Sequence, residues 1–224
     1  MSFIFDRLKQ HTKDFQNILS DNLSPSHEQH DYPWLNAVYS GSNIRRAHLD
    51  VVDRIDDKKL YMMHLCIFPV VNSKAPIYGF DLIAGPKKVT GAFHDFSPTY
   101  TGHDLDNYFM NMTKKYSWNK TRELPEWAQK IFSPNIITAS NIKDPAELER
   151  VLQLSLDTLS LYINTMKEDN SIRVSNKSTS FQNKYCHYQK QNPHTPRVME
   201  SLGIDPATVR EFIDTCLFPE IEYS

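Results

Sequence analysis

The segment KLYMMHLCIFPV, residues 59–70, is apolar on both alternations of a β-strand, a pattern suited only to a strand covered on both faces. Three more strand-like segments surround it: NIRRAHLDVVDR (43–54), PIYGFDLIA (76–84) and KKVTGAFHDF (87–96). The connections IDDK, VNSKA and Ala84-Gly85-Pro86 are each short enough for a hairpin loop. Consecutive strands on short loops pair as an antiparallel meander. Helical patterns flank this stretch. Residues 3–20 place Ile4, Leu8, Phe15, Ile18 and Leu19 on one side of a helix. ELPEWAQKIF (123–132) reads as a short helix. Asp144-Pro145-x-Glu147 supplies an N-cap, a first-turn proline and a capping-box partner. The helix it opens carries Leu148, Leu152, Leu156, Leu159, Ile163 and Met166 on one stripe. A second start, Asp205-Pro206, opens a final helix with Val209, Phe212, Ile213, Cys216 and Leu217 inward, and the polar segment 167–180 reads as an exposed loop. The expectation is an α+β fold, one domain over residues 1–224, with helices on both faces of an antiparallel sheet.

Composition narrows the function classes. With 6 glycines in 224 residues and no strand–GxGxxG–helix unit, phosphate-cradling loops and nicotinamide binding are improbable. The net charge of −2 gives no global attraction for nucleic acid or anionic membrane, and an aromatic K/R-G-F-G-F strand motif is missing. Cys66, Cys186 and Cys216 form no C-x-x-C pair, so iron–sulfur and zinc-finger ligand sets are not expected. Sparse, odd cysteines fit a reducing cytoplasm. The charged start MSFIFDRLKQHTKDF does not read as a signal peptide, and no apolar run is long enough to span a bilayer.

The informative anomaly lies inside the strands. His64 sits in the middle of 59–70, Asp81 in the middle of 76–84, and His48 and Asp50 within 43–54. A carboxylate in a buried strand is costly unless it is paired or protonated. If the 43–69 hairpin turns near Asp57, residue numbers summing to 114 face each other and Asp50 meets His64. If the next hairpin turns between Asn72 and Ser73, the sum is 145 and His64 meets Asp81. One sheet face then carries all three, with Cβ atoms of direct neighbours roughly 4.5–5.5 Å apart. A one-residue slip in either turn would disperse them. A lone strand His or Asp is usually a satisfied structural residue, whereas three converging make a candidate acid–base set. Such a set could also hold a metal. The close H-x-H or H-x-x-x-H spacing of metal sites is missing, so no metal is expected. A general acid–base relay is the better chemical reading, because burial raises an Asp pKa and a neighbouring His can share its proton.

The segments HLD (48–50), MHLCIFP (63–69), PIYGFDLIAG (76–85), ELPEWAQKIFSP (123–134), YQKQNPHTPRVMESLG (188–203) and FIDTCLFPEIE (212–222) together resemble the ferredoxin-dependent bilin reductases. They match in order, at compatible spacing, over nearly the whole chain from about residue 30. The resemblance implies a three-layer α/β/α sandwich with a central antiparallel sheet and a bilin held between the sheet and the C-terminal helices. It implies reduction of biliverdin IXα with electrons from a reduced 2Fe–2S ferredoxin, no cofactor of the enzyme's own, and a cytoplasmic monomer. The family's catalytic Asp and His fall on Asp81 and His64. A companion Glu of the phycocyanobilin-forming members falls on Asp50, and a second pocket His falls on His48.

There are departures from the pattern. An Asp at residue 50 points to a phage-borne branch whose product is phycoerythrobilin, formed by four-electron reduction through bilin radicals. Phycocyanobilin as product, and a carrier that binds bilin without turnover, are the alternatives. Phycoerythrobilin-forming relatives tend to carry a second Asp where this chain has Pro193 beside Asn192. A propionate-holding Lys of the phycocyanobilin-forming members falls on His194, which leaves Thr90, Gln189 or Arg197 as donors. The candidate substrate-binding residues are therefore His48, Thr90, Gln189, Asn192, His194 and Arg197. Ferredoxins are acidic, so the expected dock is the densest positive cluster: Lys114, Lys115, Lys120 and Arg122, interleaved with Tyr116 and Trp118 and adjoined by Lys87 and Lys88.

Overall fold

Seven strands make one sheet in chain order, every neighbouring pair antiparallel, in a computed structural model that describes residues 2–28, 30–41, 43–169 and 177–222. They are β1 (Ser24–Pro25), β2 (Leu35–Ser40), β3 (Ile44–Arg54), β4 (Leu60–Pro69), β5 (Ile77–Gly85), β6 (Lys88–Ser97) and β7 (Ile137–Ile142). β4 is the middle strand, as its two-sided apolar pattern requires. The β3–β4 connection is a single helical turn, α2 (Ile55–Lys58), which closes on Lys59 at a φ of 54°.

Helices cover both faces, giving the expected three layers. One face carries α1 (Phe3–Asn22), α3 (Asp104–Thr113) and α5 (Pro145–Glu168). Leu49, Met63, Leu65, Phe80 and Leu82 project from the sheet into a cluster with Phe5, Leu8 and Phe15 of α1 and Leu152, Leu159 and Ile163 of α5. These side chains are essentially fully buried, so truncating Leu65 or Leu152 to Ala is expected to cost about 2–5 kcal/mol. The other face carries α4 (Glu126–Gln129), α6 (Lys177–Gln189), α7 (His194–Ser201), α8 (Pro206–Glu211) and a π-helical turn, Phe212–Leu217. Its core is smaller and built from Cys66, Phe68, Ile77, Tyr185, Cys186, Met199, Phe212 and Cys216.

Local expectations hold at most helix ends. Asp144 accepts from the Ala146 amide and Asp205 from the Thr208 amide, each ahead of a first-turn proline. Glu147 does not close the expected capping box. It is buried, and its carboxylate accepts from the backbone amide and the side-chain amide of Asn119, pinning the 114–122 segment instead. The short 123–132 helix is reduced to the four residues of α4. The 167–180 segment is not one loop: α5 extends to Glu168 and α6 begins at Lys177, while 170–176 lie outside the described residues. No helix among the described residues is long and apolar enough to cross a membrane.

A polar seam runs through the larger core. His94 Nδ1 donates to the Gly79 carbonyl at 2.7 Å and Nε2 pairs with the Thr158 hydroxyl at 2.7 Å, while His11 pairs with Ser155 at 3.0 Å. Burial holds His94 down to about 4 and, aided by the Arg7 charge, His11 down to about 3. Both folded pKa values lie below the unfolded value, so the unfolded chain binds more protons and stability is lost as pH falls below about 6.5. Each histidine contributes up to about 1.4 kcal/mol per pH unit in that window. Buried acids titrate in the opposite sense, so the prediction concerns one group. Urea midpoints measured between pH 6.5 and 4.5 should fall less steeply in His94→Gln than in the parent. Equal slopes would show that His94 is not held neutral.

Candidate active site

Direct backbone pairing brings the three strand residues together. Asp50 of β3 faces His64 of β4, and His64 faces Asp81 of β5, so both pairings expected from hairpin counting are present. Asp50 Oδ1 lies 3.2 Å from His64 Nδ1. The side chains point to the face of α6–α8, where the helical cover is incomplete. Met62, His64, Gly79, Asp81, Ile83 and Phe93 share this face and all stay partly exposed, while their odd–even neighbours are buried. They form a recessed strip across β4–β6, mostly apolar, with one imidazole and one carboxyl in it. The Phe218 ring lies 5.6 Å from that of His64, and Tyr185 is edge-on to Phe218. A Cβ on Gly79 would come within 3.4 Å of the Tyr185 hydroxyl, so this edge of the strip is shaped by a missing side chain. A separate depression of about 590 Å³ at the far ends of β2–β4, lined by Lys9, Trp34, Asp53, Arg54 and Tyr61 among others, contains none of the acid set.

Burial pushes the Asp81 carboxyl up to about 6; the His64 charge opposes this and the Asp50 charge adds to it. Asp81 keeps some accessible surface on the recess side while protein surrounds it elsewhere, so a reacting group can reach it in a medium that favours the protonated acid. For His64, burial works against the charged form, but the hydrogen bond and charge of Asp50 and the charge of Asp81 outweigh it, and the pKa is raised. The Asp50 side chain is 8% exposed and that of His64 15%, so Asp50 meets the recess chiefly through its partner. The arrangement can hold two protons beside an apolar surface and release them to a bound molecule.

His48 lies behind this pair. It has no accessible surface, which removes it from direct substrate contact unless the surrounding helices move. Its pKa is held well below the ordinary value by burial first, then by the charges of Arg46, His64 and His30. Single ligand atoms of His48, Asp50 and His64 lie within 4.8 Å of one another. His48 Nε2 is engaged by Asn36 and His64 Nδ1 by Asp50, while His48 Nδ1 has no hydrogen-bond partner.

The remaining candidates are dispersed around the recess. Thr90 sits at a bulge between β5 and β6, its hydroxyl donating to the Ile83 carbonyl at 3.0 Å. Gln189 donates to the Tyr185 hydroxyl at 2.8 Å. Asn192 accepts from the His194 amide at 3.0 Å and so caps α7, on which His194 and Arg197 are exposed. The basic cluster is split. Lys114 and Lys115 are exposed just after α3, while Tyr116 and Trp118 pack on the larger core; Lys120 follows along the β7 edge. Arg122 instead turns to the recess, donating to the Thr90 carbonyl at 2.7 Å with its guanidinium 6.0 Å from the Phe93 ring centre. It therefore faces the strip and not the outer surface of the α1–α5 layer. Sequence reasoning missed Asn36, Arg46 and the apolar strip. Strand parity around His64 and Asp81 contained the strip; Asn36 required the register of β2, whose turn it had not located.

Comparison with known proteins gives the family. The model of the family described as ferredoxin-dependent bilin reductase matches residues 6–219. The chain is 29% identical over 207 residues to a phycocyanobilin:ferredoxin oxidoreductase of Synechococcus sp. strain CC9902, covering 89% of this chain and 82% of that protein. It is 25% identical over 227 residues to one from Prochlorococcus marinus strain MIT 9515, covering 96% and 92%. Among solved structures, one named PcyX superposes with a TM-score of 0.71 at 31% identity, covering 96% of this chain and 99% of the other. Phytochromobilin synthase from tomato, solved in complex with biliverdin, shares the fold with a TM-score of 0.75 at 16% identity, over 93% and 82% of the two chains. With the match spanning almost all of its length, the chain belongs to the ferredoxin-dependent bilin reductase family of oxidoreductases.

Proposed function

We propose that this protein reduces biliverdin IXα to phycoerythrobilin, taking four electrons singly from a 2Fe–2S ferredoxin and four protons through Asp81 and the Asp50–His64 pair. The observation that carries the reading is the recessed strip, where an acid pushed up to about 6 by burial and a His–Asp pair sit among apolar side chains that suit a flat conjugated tetrapyrrole. The curated relatives act on phycocyanobilin with ferredoxin, and the tomato structure holds biliverdin, which supports the substrate class. The protein uses no flavin or metal of its own in this reading, because the conjugated bilin can hold the unpaired electron. Each added electron makes the bilin more basic, so a carboxylic acid and an imidazolium within hydrogen-bond reach stabilise the neutral radical. Positioning then decides which carbon receives the proton. Arg122, held over Phe93 at the strip, meets a propionate, and the exposed His194 and Arg197 of α7 are further candidate donors. Lys114, Lys115 and Lys120 remain the dock for acidic ferredoxin, in a cytoplasmic monomer.

Residue 50 decides the product in this account. A carboxylate one methylene shorter than Glu is taken up by His64 at 3.2 Å, so it serves the imidazole and does not itself reach the exocyclic vinyl group whose reduction leads to phycocyanobilin.

Three measurements test these roles. Asp81→Asn should retain biliverdin binding and lose turnover by about 10²-fold or more; turnover near the parental rate would remove Asp81 from the chemistry. Anaerobic turnover with ferredoxin, followed by chromatography, should yield phycoerythrobilin from the parent and a shift towards phycocyanobilin from Asp50→Glu. Unconverted, bound biliverdin in the parent would make the protein a carrier. Charge reversal at Lys114 and Lys115 should slow ferredoxin-driven reduction and flatten its salt dependence; unchanged values would move the dock elsewhere.

A further inference from the structure

Five side-chain polar atoms on β2, β3 and the residue preceding β2 are buried without a hydrogen-bond partner: Trp34 Nε1, Asn36 Nδ2, Arg45 Nη2, Arg46 Nη1 and His48 Nδ1. Trp34, Asn36, Arg46 and His48 alternate with the same parity as Asp50 and project to the face that carries the acid set. Such atoms are rare in a settled core, and their gathering beside a reactive centre marks a place where local satisfaction yields to function. At its centre, Asn36 Oδ1 accepts from His48 Nε2 and also from Cys216 Sγ at 3.4 Å, and Cys216 Sγ lies 3.6 Å from the same nitrogen. The π-helical turn 212–217 supplies this lid, with the Phe212 ring 6.3 Å from that of His48. Asn36 is paired through the backbone with Asp50, so its amide reaches two residues along β3 to hold the next imidazole on the same face.

We propose that Asn36 is a positioning residue for the reduction: by accepting the Nε2 proton of His48 it locks that imidazole in one tautomer and one orientation beside Asp50 and His64. The proposal rests on the role given above to the Asp50–His64–Asp81 set. A neutral amide suits the task where a carboxylate does not. An Asp at residue 36 would draw a second proton onto His48, and a cation there would repel the proton that His64 must hold. The charged and titratable groups facing His48 are Arg46 and Asp50 on its own strand, His64 on β4, Cys216 on the π turn and His30 ahead of β2. Arg46 is fixed by Glu28 and by the Cys216 carbonyl, and its charge, with burial and the charges of His64 and His30, outweighs the nearby Asp50 carboxylate and discourages protonation of the ring.

The test combines a resonance readout with kinetics. In the bilin-free parent, ¹⁵N-histidine NMR, with His48 assigned from His48→Gln, should show a neutral Nε2-protonated ring that does not titrate between pH 5.5 and 9. In Asn36→Asp the same ring should titrate within that range, and the alkaline limb of kcat should move to lower pH. In Asn36→Leu the tautomer should change and kcat should fall about tenfold, with the KM for biliverdin unchanged. Parental NMR signals and a parental pH profile in Asn36→Asp would overturn the proposal. Asn36→Asp is nearly isosteric and decides the matter if Asn36→Leu does not fold. The NMR arm needs no turnover, so a failure of the bilin-reductase reading is seen separately from a failure of the tautomer lock.

Discussion

The backbone register that sets Asp50 opposite His64 and His64 opposite Asp81 is the constraint on which the proposed chemistry depends. Side chains alternate along a strand, so a slip of one residue in either hairpin would send one member of the set into the apolar core on the other face. The register is held from that other side. Leu49, Leu65 and Phe80 interleave with the three polar residues along β3–β5, and each is buried under α1 and α5. Burying that apolar face defines where the polar face must point.

The two faces therefore have different work. The α1–α3–α5 side supplies most of the core, including Tyr78, Phe96 and Phe109. The α6–α8 side is a thinner cover, with buried packing near Phe68 and Phe212 and an opening over β4–β6. In the proposed function, the incomplete cover leaves room for a flat substrate against the sheet, while the dense layer behind keeps the acids fixed. The same low-dielectric backing raises the Asp81 pKa and lowers that of His48, so neighbouring titratable groups are driven to different protonation states by where they sit relative to the opening.

Much of this was legible in the sequence, because strand periodicity and loop length are local signals. The two-sided apolar run 59–70 identified the middle strand, and counting across two short hairpins located Asp50, His64 and Asp81 on one face. The Asp-Pro helix starts were readable from capping chemistry alone. Less accessible was anything that depends on long-range packing. Glu147 looked like a capping-box partner but accepts from Asn119, 28 residues away, in a contact no local pattern announces. Arg122 looked like one more surface cation among lysines, yet the carbonyl of a bulged Thr90 draws it to the opposite face of the sheet. His48 resembled a pocket residue but is sealed by the π-helical turn, whose last residues come from the far end of the chain.

Burial at the recess raises the Asp81 carboxyl far enough that a protonated fraction persists close to neutral pH. A carbon-detected NMR titration of the aspartate carboxyls in the bilin-free protein, with Asp81→Asn as the assignment control, tests it directly. The expected Asp81 midpoint is about 6, shifted upward by burial from the ordinary 3.8. A midpoint at the ordinary value would mean that the carboxyl is solvated and ionised at working pH, and it would contradict the assignment of Asp81 as the proton donor.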